Sequence, residues 1–156
     1  MKKLLYISIL LIFIVSACDK FFEVEPENVL TYEKAHRNKY DADAIVKGIY
    51  GKFLYLAPQY VILNELRADL MDITENADHY LRDINFHDVK PGNPYTSPKP
   101  FYSLINDCND ALFNFNKMYK ELKITRDVYI QHYSNIGALR SWLYLQLAIH
   151  YGKVPY

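Results

Sequence analysis

The widest apolar pattern in the chain lies in the stretch from Ile136 to Tyr156. Ile136, Leu139, Leu143 and Leu147 recur at the three-four spacing of a helix, and Ala138, Trp142, Leu145 and Ile149 form an adjoining stripe. A face that wide needs partners on two sides. Gly152 and Pro155 supply a stop, because glycine accepts the left-handed turn after a last helical residue and proline cannot continue the ladder. Thr125 is placed to cap this helix, which the pattern runs on to Tyr151.

Three more segments keep helical spacing. Ala42, Ile45, Val46, Ile49, Tyr50, Phe53 and Leu54 predict a helix capped by Asp41 or Asp43 and ended by Pro58. Val61, Ile62, Leu66, Leu70 and Ile73 predict a second, antiparallel to it, over about Gln59 to Thr74. Pro100 opens a third, with Phe101, Leu104, Ile105, Cys108, Leu112 and Phe115 in one stripe and an end near Lys123. From Glu75 to Lys99 the periodicity fails while Pro91, Gly92, Asn93, Pro94, Ser97 and Pro98 crowd together, which predicts a long loop or insertion. No strand pair is expected. Helices in consecutive antiparallel pairs imply an all-α helical-repeat solenoid resembling tetratricopeptide repeats, with a plain four-helix bundle as the alternative. In a solenoid the next repeat covers the last helix, so the sequence reads as an incomplete array.

Composition narrows the class. Of 156 residues 51% are apolar, enough for one modest core, and 18 basic against 18 acidic residues leave no basic patch for nucleic acid. Lys2 and Lys3 precede an apolar run from Leu4 to Val15, then Ser16, Ala17 and Cys18, the arrangement of an export signal. Twelve residues fall short of the roughly 20 that a bilayer-spanning helix needs. Removing the signal leaves 16 basic and 18 acidic residues. Val15-Ser16-Ala17-Cys18 resembles a bacterial lipobox, in which Cys18 would carry palmitate-type acyl chains and tether the mature chain. The alternative is an ordinary secretory signal with a chance cysteine. The domain reading is therefore a lipoprotein signal over 1–17, a tether over 18–40 and a helical domain over 41–156. With Cys18 modified, Cys108 has no partner and no disulfide framework is expected.

Candidate chemistry is sparse. His79, Asp83 and His87 stand at steps of four, but outer members of such a set lie about 12 Å apart along a helix, too far to share one ion without a bend, and no metal site is expected. Asp69, Asp72 and Glu75 read as a solvated helix edge rather than a hydrolytic pair or calcium cluster. Arg140, on an otherwise apolar helix, reads as a structural pair whose stem packs. No nucleophile elbow, phosphate loop or dinucleotide fingerprint occurs. No catalysis and no cofactor are expected.

Several blocks, taken in order, resemble the SusD/RagB family of nutrient-binding outer-membrane lipoproteins. They are Cys18-Asp19-Lys20-Phe21-Phe22 with Pro26; Asp41-Ala42-Asp43-Ala44 leading to Gly48-Ile49-Tyr50; Glu65-Leu66-Arg67-Ala68-Asp69; and Leu139, Arg140, Ser141, Tyr144, Leu147, Tyr151, Gly152, Lys153, Val154 and Pro155. Phe101-Tyr102, Ile105 and Asn109 fit the helix between the last two. The resemblance implies tetratricopeptide-like helices, attachment to the outer membrane, docking on a TonB-dependent (SusC-like) transporter and capture of an oligosaccharide or peptide in a largely loop-built region. It covers the family's N-terminal part, so the chain is expected to be a fragment or truncated form. The insertion after Asp69 contributes to ligand contact in some members, which makes Tyr80, Phe86, Asn93 and Tyr95 the candidate ligand-binding residues. Flat aromatic faces suit sugar rings, and amide groups suit hydroxyls. A structural helical-repeat adaptor at the envelope, binding only a protein partner, is the competing reading. An envelope hydrolase built on Asp69 or Asp72 is weaker.

Overall fold

The computed structural model describes residues 31–155. By backbone contacts the chain divides into two compact units, residues 1–34 and 35–156. Cys18, the export signal and most of the tether lie outside the described residues. In the first unit the Lys34 N–H donates to the Thr31 carbonyl at 3.1 Å, within the turn that opens the short helix α1, Tyr32–Ala35.

The described residues of the second unit form helices and loops without strands. Helix α2 spans Lys39–Val61 and runs into a π turn over Ile62–Leu66. Its cap is Asn38, whose side-chain oxygen accepts from the N–H groups of Tyr40 and Asp41 at 2.9 and 3.4 Å. Neither Asp41 nor Asp43 is the cap, because the helix begins before both. Asp41 instead accepts from the Arg37 backbone and guanidinium at 2.8 to 3.0 Å. Hydrogen bonds from the Arg37 side chain are the main reason its carboxyl is held down at about 2.

Pro58 does not end α2. The helix passes through it, so the separate antiparallel helix expected over Gln59 to Thr74 is absent, and Val61 and Leu66 belong to the continuation of the first. A proline inside a helix removes one N–H and frees the carbonyl four residues earlier. That carbonyl belongs to Leu54, whose residue is 71% exposed, so water can serve it.

Helix α3, His79–Asn85, lies inside the segment expected to be loop, followed by a 3-10 turn at Pro94–Thr96. Asp78 caps α3 by accepting from the Leu81 N–H at 2.8 Å. Helix α4 spans Lys99–Lys120 and α5 spans Arg126–Tyr151. Thr125 caps α5 through the Val128 N–H, and Gly152 ends it with φ +76°, as its sequence signals indicate.

Three long helices share one core. Tyr119 stacks on Tyr129 at 4.8 Å and Phe115 meets His132 at 5.6 Å, so α4 and α5 run antiparallel. Lys52 pairs with Asp107 at 2.7 Å and Gln59 reaches the Ser97 carbonyl at 2.7 Å, which makes α2 antiparallel to α4. Asp43 lies beside His132, Phe53 and Tyr60 flank Trp142, and Asn64 approaches Gln146. Helices α2 and α5 therefore run parallel, up-down-up with α4 between them in chain order. The core holds Ala42, Ile49 and Leu56 from α2, Phe101, Leu104, Ile105, Cys108 and Phe115 from α4, and Ile136, Leu139, Leu143 and Leu147 from α5. Burial pushes the Cys108 thiol up to about 11, so it packs as a small neutral hydrophobe. The second stripe of α5 is covered only in part: Trp142 packs on Phe53 and Tyr60, while Leu145 and Ile149 are 55% and 59% exposed.

Candidate functional site

The connection between the π turn and α4, residues 67–98, is held at several points. Asn93 is buried, with its amide N–H donating to the Tyr80 carbonyl at 2.9 Å and its oxygen accepting from the Tyr95 N–H at 3.0 Å. Its own carbonyl accepts from the Thr96 hydroxyl at 3.1 Å. The Tyr95 hydroxyl donates to Asp78 at 2.9 Å, so one carboxylate caps α3 and fixes Tyr95. That bond, with smaller contributions from burial and the carboxylate charge, raises the Tyr95 pKa; the Leu81 N–H is the main cause of the lowered Asp78 value.

Gln59 on α2 donates to the carbonyls of Tyr95 and Ser97 at 3.0 and 2.7 Å, and the Tyr151 hydroxyl on α5 donates to the Thr96 carbonyl at 3.1 Å. The 3-10 turn is thus clamped between two long helices. Of the four candidate residues, Tyr80, Asn93 and Tyr95 are joined through this network, while Phe86 sits just past the other end of α3, about 9 Å along the axis from Tyr80, and is 72% exposed. Asn93 spends its side-chain amide on the loop itself. The half-buried Tyr80 and Tyr95 rings and the exposed Phe86 ring are what the segment offers to a ligand.

His79 and Asp83 fall on α3, and His87 follows it in the left-handed region, φ +55°. The helix there corrects the expectation of a loop. His79 packs on Tyr80, and His87 Nε2 lies 3.6 Å from Asp69. Asp69 thus faces His87. Among the described residues no group of three or more His, Cys, Asp or Glu side chains stands close enough to hold one metal ion. The Arg140 guanidinium lies 5.3 Å over the Tyr144 ring.

Periodicity gave no hint of a cleft of about 400 Å³ lined by Leu63, Arg67, Ile84, His87, Val89, Thr96, His150 and Tyr151. Its residues come from the π turn, α3, the loop and the end of α5, which are distant in sequence. The chemical signal was present only as the cationic Arg67 and two histidines, and nothing in their spacing joins them. Burial, followed by the nearby Arg67 charge, lowers the His150 pKa; burial raises that of Tyr151, with Arg67 opposing.

No protein-family model, curated protein or solved structure matches the chain. Among the described residues no helix is long and apolar enough to cross a membrane.

Proposed function

We propose that the chain is the helical N-terminal part of a SusD/RagB-like outer-membrane lipoprotein that captures a nutrient and delivers it to a TonB-dependent transporter. The observation that carries this reading is the order of its sequence blocks, from Cys18 through Asp41-Ala42-Asp43-Ala44 and Arg67-Ala68-Asp69 to Gly152-Lys153-Val154-Pro155. In it, Cys18 is the lipid anchor and α4 with α5 is one hairpin of a tetratricopeptide-like array. The 67–98 segment, clamped by Gln59 and Tyr151, is a loop-built region of the kind that would touch a glycan or peptide. Binding without chemistry is the mechanism: rings stack on a ligand and polar edges take its hydroxyls. No catalytic step is assigned.

The adaptor reading draws on a different observation, the exposed Leu145 and Ile149 on one face of α5, since solvent-facing apolar stripes of this kind mark protein contacts. A glycan array probed with the complete gene product separates the two. Nutrient capture predicts retention on a small set of related glycans, weakened in a Phe86→Ala, Tyr80→Ala double variant. An adaptor binds none, and that result would overturn the nutrient reading.

A further inference from the structure

We propose that the cleft formed by the π turn, α3 and the end of α5 binds the oxyanion of a small ligand, a carboxylate or a phosphate, through Arg67, His150 and His87. Arg67 lines the cleft and, among the described residues, has no carboxylate partner. His150 also lines the cleft, and its Nε2 is buried without a hydrogen-bond partner. His87 lines the cleft too; its exposed pairing with Asp69 is screened by water and competes weakly with a ligand.

The other polar groups of the cleft are committed. The Tyr151 hydroxyl donates to the Thr96 carbonyl, and the Thr96 hydroxyl donates to Asn93. The remaining donors are therefore cationic or imidazole groups. Leu63, Ile84 and Val89 supply apolar walls for the uncharged part of a ligand. A volume of about 400 Å³ suits a ligand of sugar-acid size. Burial first and the Arg67 charge second lower the His150 pKa, and an anion bound between them offsets the second of these.

As the chemical class of a nutrient, the oxyanion rests on the uptake reading; the anion preference of the cleft does not. The test is an NMR titration of the full chain with glucuronate, glucose 1-phosphate and glucose, followed at the His150 ring. Saturable shifts with glucuronate or with glucose 1-phosphate, none with glucose, and an upward move of the His150 pKa on occupancy support the site. The first sugar alone assigns a carboxylate, the second alone a phosphate. Arg67→Gln should weaken binding at least tenfold and Arg67→Lys should restore part of it; Arg67 is exposed, and the helical content of both variants is checked by circular dichroism. Saturation by glucose as well, no saturation by either charged sugar, or unchanged affinity in Arg67→Gln would overturn it. Retention of neutral glycans on the array combined with silence here rejects the anion site and leaves the uptake reading standing.

Discussion

Among the described residues three non-glycine residues occupy the left-handed region, Asp69, His87 and Leu122, with φ of +57°, +55° and +58°. Each follows a helical segment, and each is bracketed by a bond from the next residue's N–H back to a carbonyl five residues earlier: Leu70 to Glu65, Asp88 to Asp83 and Lys123 to Met118, at 2.8 to 2.9 Å. This is the Schellman arrangement, in which glycine is the usual occupant of the left-handed position. Aspartate and histidine enter that region more readily than most residues, whereas leucine meets the full clash between its Cβ and the backbone. Leu122 recovers nothing by burial, being 88% exposed. Leu122→Gly is therefore expected to stabilise the protein by about 1 kcal/mol, raising the thermal midpoint by about 4 °C. An unchanged or lower midpoint would mean that the leucine has a contact worth more than its strain. These turns are illegible in the sequence because glycine and proline are what signal a helix stop, and none of the three carries either at its left-handed position, whereas the end of α5 carries Gly152.

At the scale of elements, legibility followed amphipathicity. Helix α4 carries its stripe of Phe101, Leu104, Ile105, Cys108 and Phe115 entirely inward, and α5 has both a threonine cap and a glycine end, so both were placed from the pattern. Helix α3 leaves no apolar pattern because its seven residues bury only Ile84; its stability comes from Asp78 at the cap and from Arg82, which donates to the carbonyls of Ala77 and Glu75. Asn93, a candidate ligand contact, also holds the loop through its hydrogen bonds to Tyr80 and Tyr95, a role that spacing alone does not reveal. Pro58 signals a terminator locally, but the continuous face of Ile49, Leu56 and Leu63, all nearly fully buried, overrides it. Packing of that face against α4 and α5 sustains the helix across the lost hydrogen bond. Pro58→Ala restores the N–H at a gain of about 3 kcal/mol, set against about 1 kcal/mol of added unfolded-state freedom. The expected outcome is a net rise of about 2 kcal/mol in urea denaturation with the helical signal kept. A loss of stability would show that the proline ring itself is needed where the π turn begins.

For the whole molecule, the up-down-up arrangement leaves one face of α5 to solvent and gathers the 67–98 segment at one end, where Gln59, Thr96 and Tyr151 tie loop to helices. The expected pair of consecutive hairpins reduces to one, α4 with α5, joined to a single long α2. In the proposed account the exposed Leu145 and Ile149 belong to a docking or repeat-stacking face, and the clamped loop belongs to the ligand. The measurement that bears most directly on this account is affinity purification of the full chain from outer membranes of its native cells after cross-linking. The account predicts recovery of a TonB-dependent β-barrel transporter with the lipid-modified chain, and loss of that recovery when Cys18→Ser removes the anchor. A chain that fractionates away from the outer membrane, or that is recovered there without any such transporter, would contradict it.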